Sequence, residues 1–117
     1  LSEVAFPNLD KKQENHYNTV TNLGGMLALI LKRDPRQRED LENNMAFGAF
    51  AQNLMLLLYE AGIGTCWKSP TYIFTPEIRS IFNVKDDEQL VGFLYLTDLQ
   101  DEMPHRKRHA EQVIEKF

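Results

Sequence analysis

The sequence has almost nothing that would cross-link it or hold it in a membrane. Its 117 residues include one cysteine, Cys66, so a disulfide within the chain is excluded and a reducing compartment is indicated. The longest apolar stretch is broken by Gln52, Asn53, Tyr59 and Glu60, and it falls short of the roughly 18 residues that a membrane span needs. We therefore expect a cytoplasmic protein with no membrane partner.

Basic charge is also scarce, and several familiar active-site motifs are missing. Lys and Arg number 13 against 17 Asp and Glu, a net charge of −4, which argues against nucleic acid as a partner. The chain has no P-loop, no GxGxxG fingerprint, no zinc-type cysteine set and no plausible Ser-His-Asp spacing. His105 and His109 stand four apart, but the three basic residues between them would repel a cation. We expect no metal site and no catalytic side chain.

The composition that remains is that of an ordinary globular protein, with 43% hydrophobic and 26% charged residues. A chain of this size suits one domain with one core, so residues 1–117 are predicted to form a single domain. The sequence opens on Leu1 without a methionine, and we expect it to be a piece of something longer.

The most informative stretch runs from Met45 to Ser69. Its apolar residues recur at spacings of three and four, which predicts a helix. The predicted stripe consists of Phe47, Phe50, Leu54, Leu57, Leu58 and Ala61. The opposite side is apolar too, so this helix should be buried on most faces, either in a core or against a second subunit. It is predicted to begin between Pro35 and Asp40 and to end near Ala61.

Two glycines and a polar triplet follow the helix. Gly62 suits the left-handed position that ends a helix, because glycine has no Cβ to clash there. Gly64 allows the backbone to come close to something flat or bulky. The loop that starts at Gly62 then presents Trp67–Ser69.

Shorter elements are predicted on either side of the long helix. Residues 1–22 indicate a short helix or a loop, and Met26–Leu31 a strand buried on both faces. A Thr75 cap with proline after it opens a short helix. The best strand is Gln89–Thr97, where Gly92 allows close approach of a neighbouring backbone.

Three polar features were weighed as sites. The connector Lys32–Arg38 (KRDPRQR) carries four basic residues and would suit phosphate, but a solvated loop is the favoured interpretation. His16 is expected at the surface or in packing. Cys66 is expected to pack rather than to do redox chemistry.

Four segments, in this order, resemble the FMN-dependent nitroreductase family in its compact bacterial branch. They are Ala51–Leu54 (AQNL), Ala61–Ser69 (AGIGTCWKS), the Pro76-Glu77 helix start and Val91–Leu96 (VGFLYL). Any one of them is a weak signal, and the four together are fairly specific. They correspond to the C-terminal two-thirds of the family's domain.

The resemblance implies an α+β fold, in which a mostly antiparallel sheet is flanked by helices around a long buried central helix. It also implies a homodimer formed through long helices, with FMN at the subunit interface. Two motifs of the family have no counterpart in this chain. One is the opening basic-serine motif, which binds the flavin phosphate, and the other is a later Pro/Asn/Gln-Trp segment. The N-terminal part of the domain is therefore expected to be absent, together with part of the FMN site.

The resemblance also implies which residues bind the cofactor. Trp67, Lys68 and Ser69 match the segment that touches FMN, where Lys68 would offset negative charge and Ser69 would donate a hydrogen bond. Trp67 either packs near the ring or fills the core. The segment implied to lie toward the NAD(P)H side consists of Leu57, Leu58, Tyr59, Glu60, Ala61 and Gly62.

The function so implied is that of an NAD(P)H-dependent flavin oxidoreductase or nitroreductase. Hydride would pass from NAD(P)H through FMN to a nitroaromatic, a quinone or a similar acceptor. Because a fold does not dictate a function, the alternative is a non-enzymatic dimeric flavin-binding or regulatory module on the same fold. A third possibility is a fragment that dimerises through the helix at 45–61 and does no chemistry.

Overall fold

The computed structural model describes residues 1–99. The two histidines at 105 and 109 lie outside the described residues. The elements, in chain order, are α1 (Ser2–Ala5), α2 (Asp10–Thr21), β1 (Gly25–Lys32), α3 (Gln37–Glu60), β2 (Ile63–Lys68), a 3₁₀ helix (Thr71–Phe74), α4 (Pro76–Ile81) and β3 (Glu88–Asp98).

The three strands form one antiparallel sheet in the order β1-β3-β2. The central position of β3 follows from its composition, because Leu90, Phe93 and Leu94 are completely buried. The predicted strand at 89–97 is therefore confirmed. A register shift between Leu29 and Ile30 leaves Val91 of β3 without a partner on β1, which is the extra residue of a β-bulge.

The two faces of the sheet carry different layers. On one face, the main core cluster joins the 3₁₀ helix and α4 to β3 through Tyr72, Ile73, Ile78, Leu90 and Phe93. On the other face, α3 packs against β2 and β1. The fold is thus α+β with a mostly antiparallel sheet, as predicted.

Strand β1 was predicted correctly in place but only partly in burial. Leu29 and Leu31 are buried, whereas Leu27 on the same strand is 39% exposed. The expectation of burial on both faces holds only in part: Met26, Ala28 and Ile30 are half-buried against the main core cluster on the other face, and the edge strand β1 is left uncovered at Leu27.

Helix α3 begins and ends where the sequence predicted, and Gly62 after it has φ +83°. Its inward side is a single stripe at three- and four-residue spacing, formed by Asn43, Phe47, Ala51, Leu54, Met55 and Leu58. Only Ala51 is fully buried, while Phe50 and Leu57 are 56% and 63% exposed. Burial on most faces within this chain is therefore wrong, because the sheet offers the helix one surface only.

Two local predictions need correction. The loop predicted after Gly62 is instead the edge strand β2, paired with β3 along its length. Thr75 does occupy the position before α4, but its hydroxyl donates to the carbonyl of Tyr72 at 3.0 Å and does not cap the helix. Its proline start is as predicted.

Candidate functional site

A cleft of about 580 Å³ lies beside the end of β2. One wall is the polar side of α2, where Lys12, Asn15, His16 and Thr19 follow one another at helical spacing. The other wall is formed by Lys68, Ser69, Pro70 and Tyr72, and Phe6 and Tyr95 complete the lining. The volume falls within the range of roughly 300–1,000 Å³ that small-molecule sites occupy.

Hydrogen bonds from the side chains of Trp67 and Ser69 fix the position of the segment at Lys68 and Ser69. The Trp67 indole Nε1–H donates to Ser69 Oγ at 2.9 Å, and the Ser69 hydroxyl donates to the carbonyl of Val91 at 2.9 Å. Both side chains thereby tie the end of β2 to β3. The hydroxyl of Ser69, which the resemblance implies as a hydrogen-bond donor to FMN, is engaged within the chain.

Gly92 is the residue that permits this arrangement. Its φ is +151°, a conformation that side-chain-bearing residues rarely adopt. A Cβ there would stand 2.5 Å from the Lys68 carbonyl oxygen and 2.7 Å from Trp67 Nε1. The predicted close approach of a neighbouring backbone at Gly92 is therefore confirmed.

The main-chain N–H of Ser69 points away from the sheet. Leu99 N–H donates to the Gly62 carbonyl at 3.1 Å, and bonded pairs in an antiparallel ladder recur at every second residue. The even-numbered residues of β2 thus bond to β3, which leaves the N–H of Ser69 on the open edge. It meets no acceptor among residues 1–99 and remains available to a ligand.

Trp67 and Lys68 lie on opposite faces of β2, because successive side chains in a strand alternate. The Trp67 ring packs edge-on against Phe47 of α3, with 6.4 Å between the ring centroids. The Lys68 side chain is exposed and lines the cleft. Of the predicted triplet, Lys68 and Ser69 line the cleft, whereas Trp67 fills the layer between α3 and the sheet.

The second predicted set, Leu57 through Gly62, is not brought to this cleft. It lies at the end of α3, just before β2 begins, while Lys68 ends β2. The six residue steps from Gly62 to Lys68, at about 3.3 Å each, place the two groups about 20 Å apart. The Leu57, Tyr59, Glu60, Ala61 and Gly62 positions are exposed and Leu58 is half-buried. Within one chain, the two sets do not meet.

A hydrogen-bonded network that the sequence did not reveal stands at the cleft wall. His16 Nδ1 lies 2.7 Å from Ser2 Oγ, and His16 Nε2 lies 2.9 Å from the Tyr72 hydroxyl. Phe6 packs edge-on against both His16 and Tyr72, at 5.4 and 5.6 Å between ring centroids. Burial lowers the pKa of the His16 imidazole and raises the pKa of the Tyr72 hydroxyl, so both groups are neutral at pH 7.

The cleft residues of α2 were missed because their pattern is ambiguous. Lys12, Asn15, His16 and Thr19 do form one polar helical face, which is the available signal. A polar face on a helix usually meets water, and the sequence does not show that Lys68 lies opposite. The expectation that His16 packs is confirmed, although its two hydrogen bonds could not be foreseen.

The basic connector before α3 is engaged in ion pairs of its own. Arg33 binds Asp40 through two hydrogen bonds of 2.8 and 2.7 Å, and Arg36 binds Asp34 through two of 3.0 and 2.9 Å. The hydrogen bonds from Arg36 lower the pKa of Asp34 to about 2. These contacts favour the predicted solvated loop over a phosphate site.

Neither a metal cluster nor a membrane helix is found in the part of the chain that the structure describes. Residues 1–99 contain no grouping of three or more His, Cys, Asp or Glu side chains suited to a metal ion. Within the same residues, no helix has the length and apolar character needed to cross a bilayer.

Comparison with known proteins places this arrangement in a family. The profile described as "Nitroreductase family" matches residues 3–96, which takes in α2, the segment at Lys68 and nearly all of β3. The chain belongs to the nitroreductase family. The resemblance drawn from its four sequence segments is thereby confirmed.

Relatives of this nitroreductase-family chain are longer than it is. A Bacillus subtilis (strain 168) protein named "Putative NAD(P)H nitroreductase YfhC" is 30% identical over 111 residues, which cover 94% of this chain and 57% of that protein. The chain thus spans little more than half the length of this curated relative.

Solved structures show the same fold. The nitroreductase-like family protein from Bacillus cereus matches with a TM-score of 0.87 at 22% identity, covering 99% of this chain and 64% of that one. The FMN and NADPH-dependent nitroreductase NfnB from sphigopyxis sp. strain HMH matches with a TM-score of 0.61 at 20% identity, over 99% and 55% of the two chains. At these identities the likeness establishes the fold class, which is nitroreductase-like.

Proposed function

We propose that this chain is part of an FMN-dependent oxidoreductase that moves hydride from NAD(P)H to a nitroaromatic, a quinone or a similar acceptor. Membership of the nitroreductase family supports this, as do the NAD(P)H and FMN named for its relatives. The observation that carries the proposal is the cleft lined by Lys68 and by Ser69, whose main-chain N–H meets no acceptor among residues 1–99.

The residues at this cleft fit a flavin in three respects. The N–H of Ser69 has no acceptor among residues 1–99 and would donate to a polar edge of the ring. Lys68 would offset the negative charge of a phosphate or of the reduced ring. Trp67 would act indirectly by holding Ser69 in place. When bound, FMN would supply the hydride chemistry, and the chain would hold and shield it.

We further propose a homodimer formed through the outward side of α3. Six large apolar residues of this helix are exposed by 55% or more: Leu41, Met45, Phe50, Leu56, Leu57 and Tyr59. Such a surface is larger and more apolar than a helix normally shows to water. A second copy packed here would also supply its own residues 57–62, which one chain holds about 20 Å or more from Lys68.

Two measurements on the full-length protein test the proposal. The purified protein should show flavin absorbance and should oxidise NADH or NADPH when a benzoquinone is added. Flavin binding without turnover would favour the alternative, a non-enzymatic flavin-binding or regulatory module. A protein that neither carries FMN nor takes it up would contradict both.

A matched pair of variants connects the activity to the cleft. Ser69→Pro removes the main-chain N–H and should weaken FMN binding about tenfold or more, since a ligand polar group would lose its partner. Ser69→Ala keeps that N–H and should bind FMN far better than Ser69→Pro. Equal FMN affinity in the two variants would argue against a flavin at the Ser69 amide.

A further inference from the structure

The hydrogen-bonded network at the cleft wall has a geometry suited to moving a proton. His16 on α2 and Tyr72 on the 3₁₀ helix are 56 residues apart, yet His16 Nε2 lies 2.9 Å from the Tyr72 hydroxyl. Ser2 Oγ lies 2.7 Å from the other ring nitrogen. Both His16 and Tyr72 line the cleft.

A neutral imidazole carries one N–H, so this network has two arrangements. In the first, Tyr72 donates to His16 Nε2, and His16 Nδ1–H donates to Ser2. In the second, Ser2 donates to Nδ1, Nε2–H donates to the Tyr72 oxygen, and the Tyr72 proton turns away from His16 toward the cleft, which Tyr95 also lines. The number of hydrogens is the same in both, so only their positions change.

We propose that Tyr72 donates a proton to the oxygen of an acceptor bound in the cleft, and that His16 positions and reprotonates it. This inference rests on the proposed function, which supplies the hydride from the reduced flavin. A two-electron reduction of a quinone needs one hydride and one proton. The proposed function supplies the hydride, and this inference supplies the source of the proton.

The proton transfer balances over the residues present. A quinone that has received hydride is a hydroquinone monoanion, and its oxygen takes the Tyr72 proton as the Tyr72 O–H bond breaks. The Tyr72 phenolate then takes the Nε2 proton of His16. His16 Nδ1 takes the hydroxyl proton of Ser2, and Ser2 recovers one from water.

The surroundings of His16 and Tyr72 favour proton transfer to a bound acceptor. Tyr72 is only 6% exposed, and the ring of Phe6 stands against both members at 5.4 and 5.6 Å. Water is therefore a poor competitor for the Tyr72 proton. The acceptor class that fits is a planar molecule bearing an oxygen atom that becomes negative on reduction.

The test compares Tyr72→Phe with the wild-type full-length protein, using two acceptors. Benzoquinone needs a proton on oxygen, whereas ferricyanide takes electrons alone. Tyr72→Phe should lower kcat with benzoquinone by about 100-fold, as loss of a general acid does, and should lower kcat with ferricyanide far less, so that the ratio of the two rates changes. Tyr17→Phe is the matched control, since Tyr17 lies on α2 outside the cleft and is 61% exposed.

His16→Gln distinguishes positioning from packing. Glutamine can hydrogen-bond to Tyr72 but cannot pass a proton along, so benzoquinone turnover should fall while ferricyanide turnover is kept. A readout independent of turnover is the binding of benzoate, an oxyanion probe, followed by NMR. Benzoate affinity should fall about tenfold in Tyr72→Phe and stay unchanged in Tyr17→Phe.

Two results would overturn the inference while leaving the proposed function intact. One is unchanged benzoquinone turnover in Tyr72→Phe. The other is an equal loss with both acceptors, which would indicate a structural role. If the wild-type protein binds no FMN, the proposed function fails and the proton transfer with it.

Discussion

The carbonyl oxygen of Lys68 lies 2.5 Å from the point where a Cβ on Gly92 would stand. One glycine on β3 therefore decides whether the end of β2 can hold its place beside the cleft. The same glycine gives room to the Trp67 indole and the Ser69 hydroxyl, which would stand 2.7 and 2.8 Å from that Cβ.

Gly92→Ala should destabilise the protein by roughly 3 kcal/mol. Alanine rarely adopts the positive φ of Gly92, and its Cβ would overlap the main-chain carbonyl of Lys68, which cannot move aside. The measurement is urea unfolding. Gly48→Ala is the control, since Gly48 lies within α3 and a Cβ there would meet nothing within 4 Å. That change should stabilise the protein by up to about 1 kcal/mol through helix propensity. Equal stability of the two variants would contradict the crowding at Gly92.

Ser69→Ala should cost about 1 kcal/mol of stability. The Val91 carbonyl would lose its donor, and the Trp67 indole N–H would lose its acceptor. Urea unfolding followed by tryptophan fluorescence would show both the loss and the changed setting of Trp67, the sole tryptophan. Ser80→Ala, on the exposed side of α4, should leave the unfolding free energy nearly unchanged.

Phe50→Glu should convert the proposed homodimer to monomers. Phe50 is 56% exposed in the single chain, so a charge there costs little in the monomer but would be buried without a partner in the dimer. Light scattering coupled to size exclusion measures the mass. Gln37→Glu adds the same charge at the start of α3 and should leave the mass unchanged. A monomeric wild-type protein would show that α3 is not the dimer interface.

Asp34→Asn should make stability less dependent on acid. The Arg36 hydrogen bonds hold the pKa of Asp34 at about 2, below its ordinary value of 3.8. A carboxyl whose pKa is lowered on folding stabilises the fold above its unfolded pKa and loses that contribution as pH falls through its folded pKa. The variant should therefore unfold at lower urea than wild type at pH 7, and the difference should vanish near pH 2. A difference that persists at pH 2 would point to another cause.

Local chemistry was sufficient to predict several elements. The position of helix α3, the glycine at 62, the proline start of α4 and the position of strand β3 all match what the structure shows. These features depend on neighbours within a few residues, which the sequence displays directly. The family followed from four such segments in order.

Strand β2 and the cleft were not predictable in this way. Ile63–Lys68 contains two polar residues and a glycine, and it becomes a strand because β3 pairs with it from 30 residues away. The cleft needs α2 and Lys68 to face each other, and the two are separated in sequence by more than 45 residues.

The sequence by itself determined the positions of α3, α4, β1 and β3, and where glycine must stand, because those preferences belong to individual residues and their near neighbours. Only the tertiary structure decided which face of α3 is covered and that His16 meets Tyr72. Both depend on how a three-stranded sheet orders its strands and on which layer packs against each side, and long-range packing of this kind leaves no periodic signal in the chain.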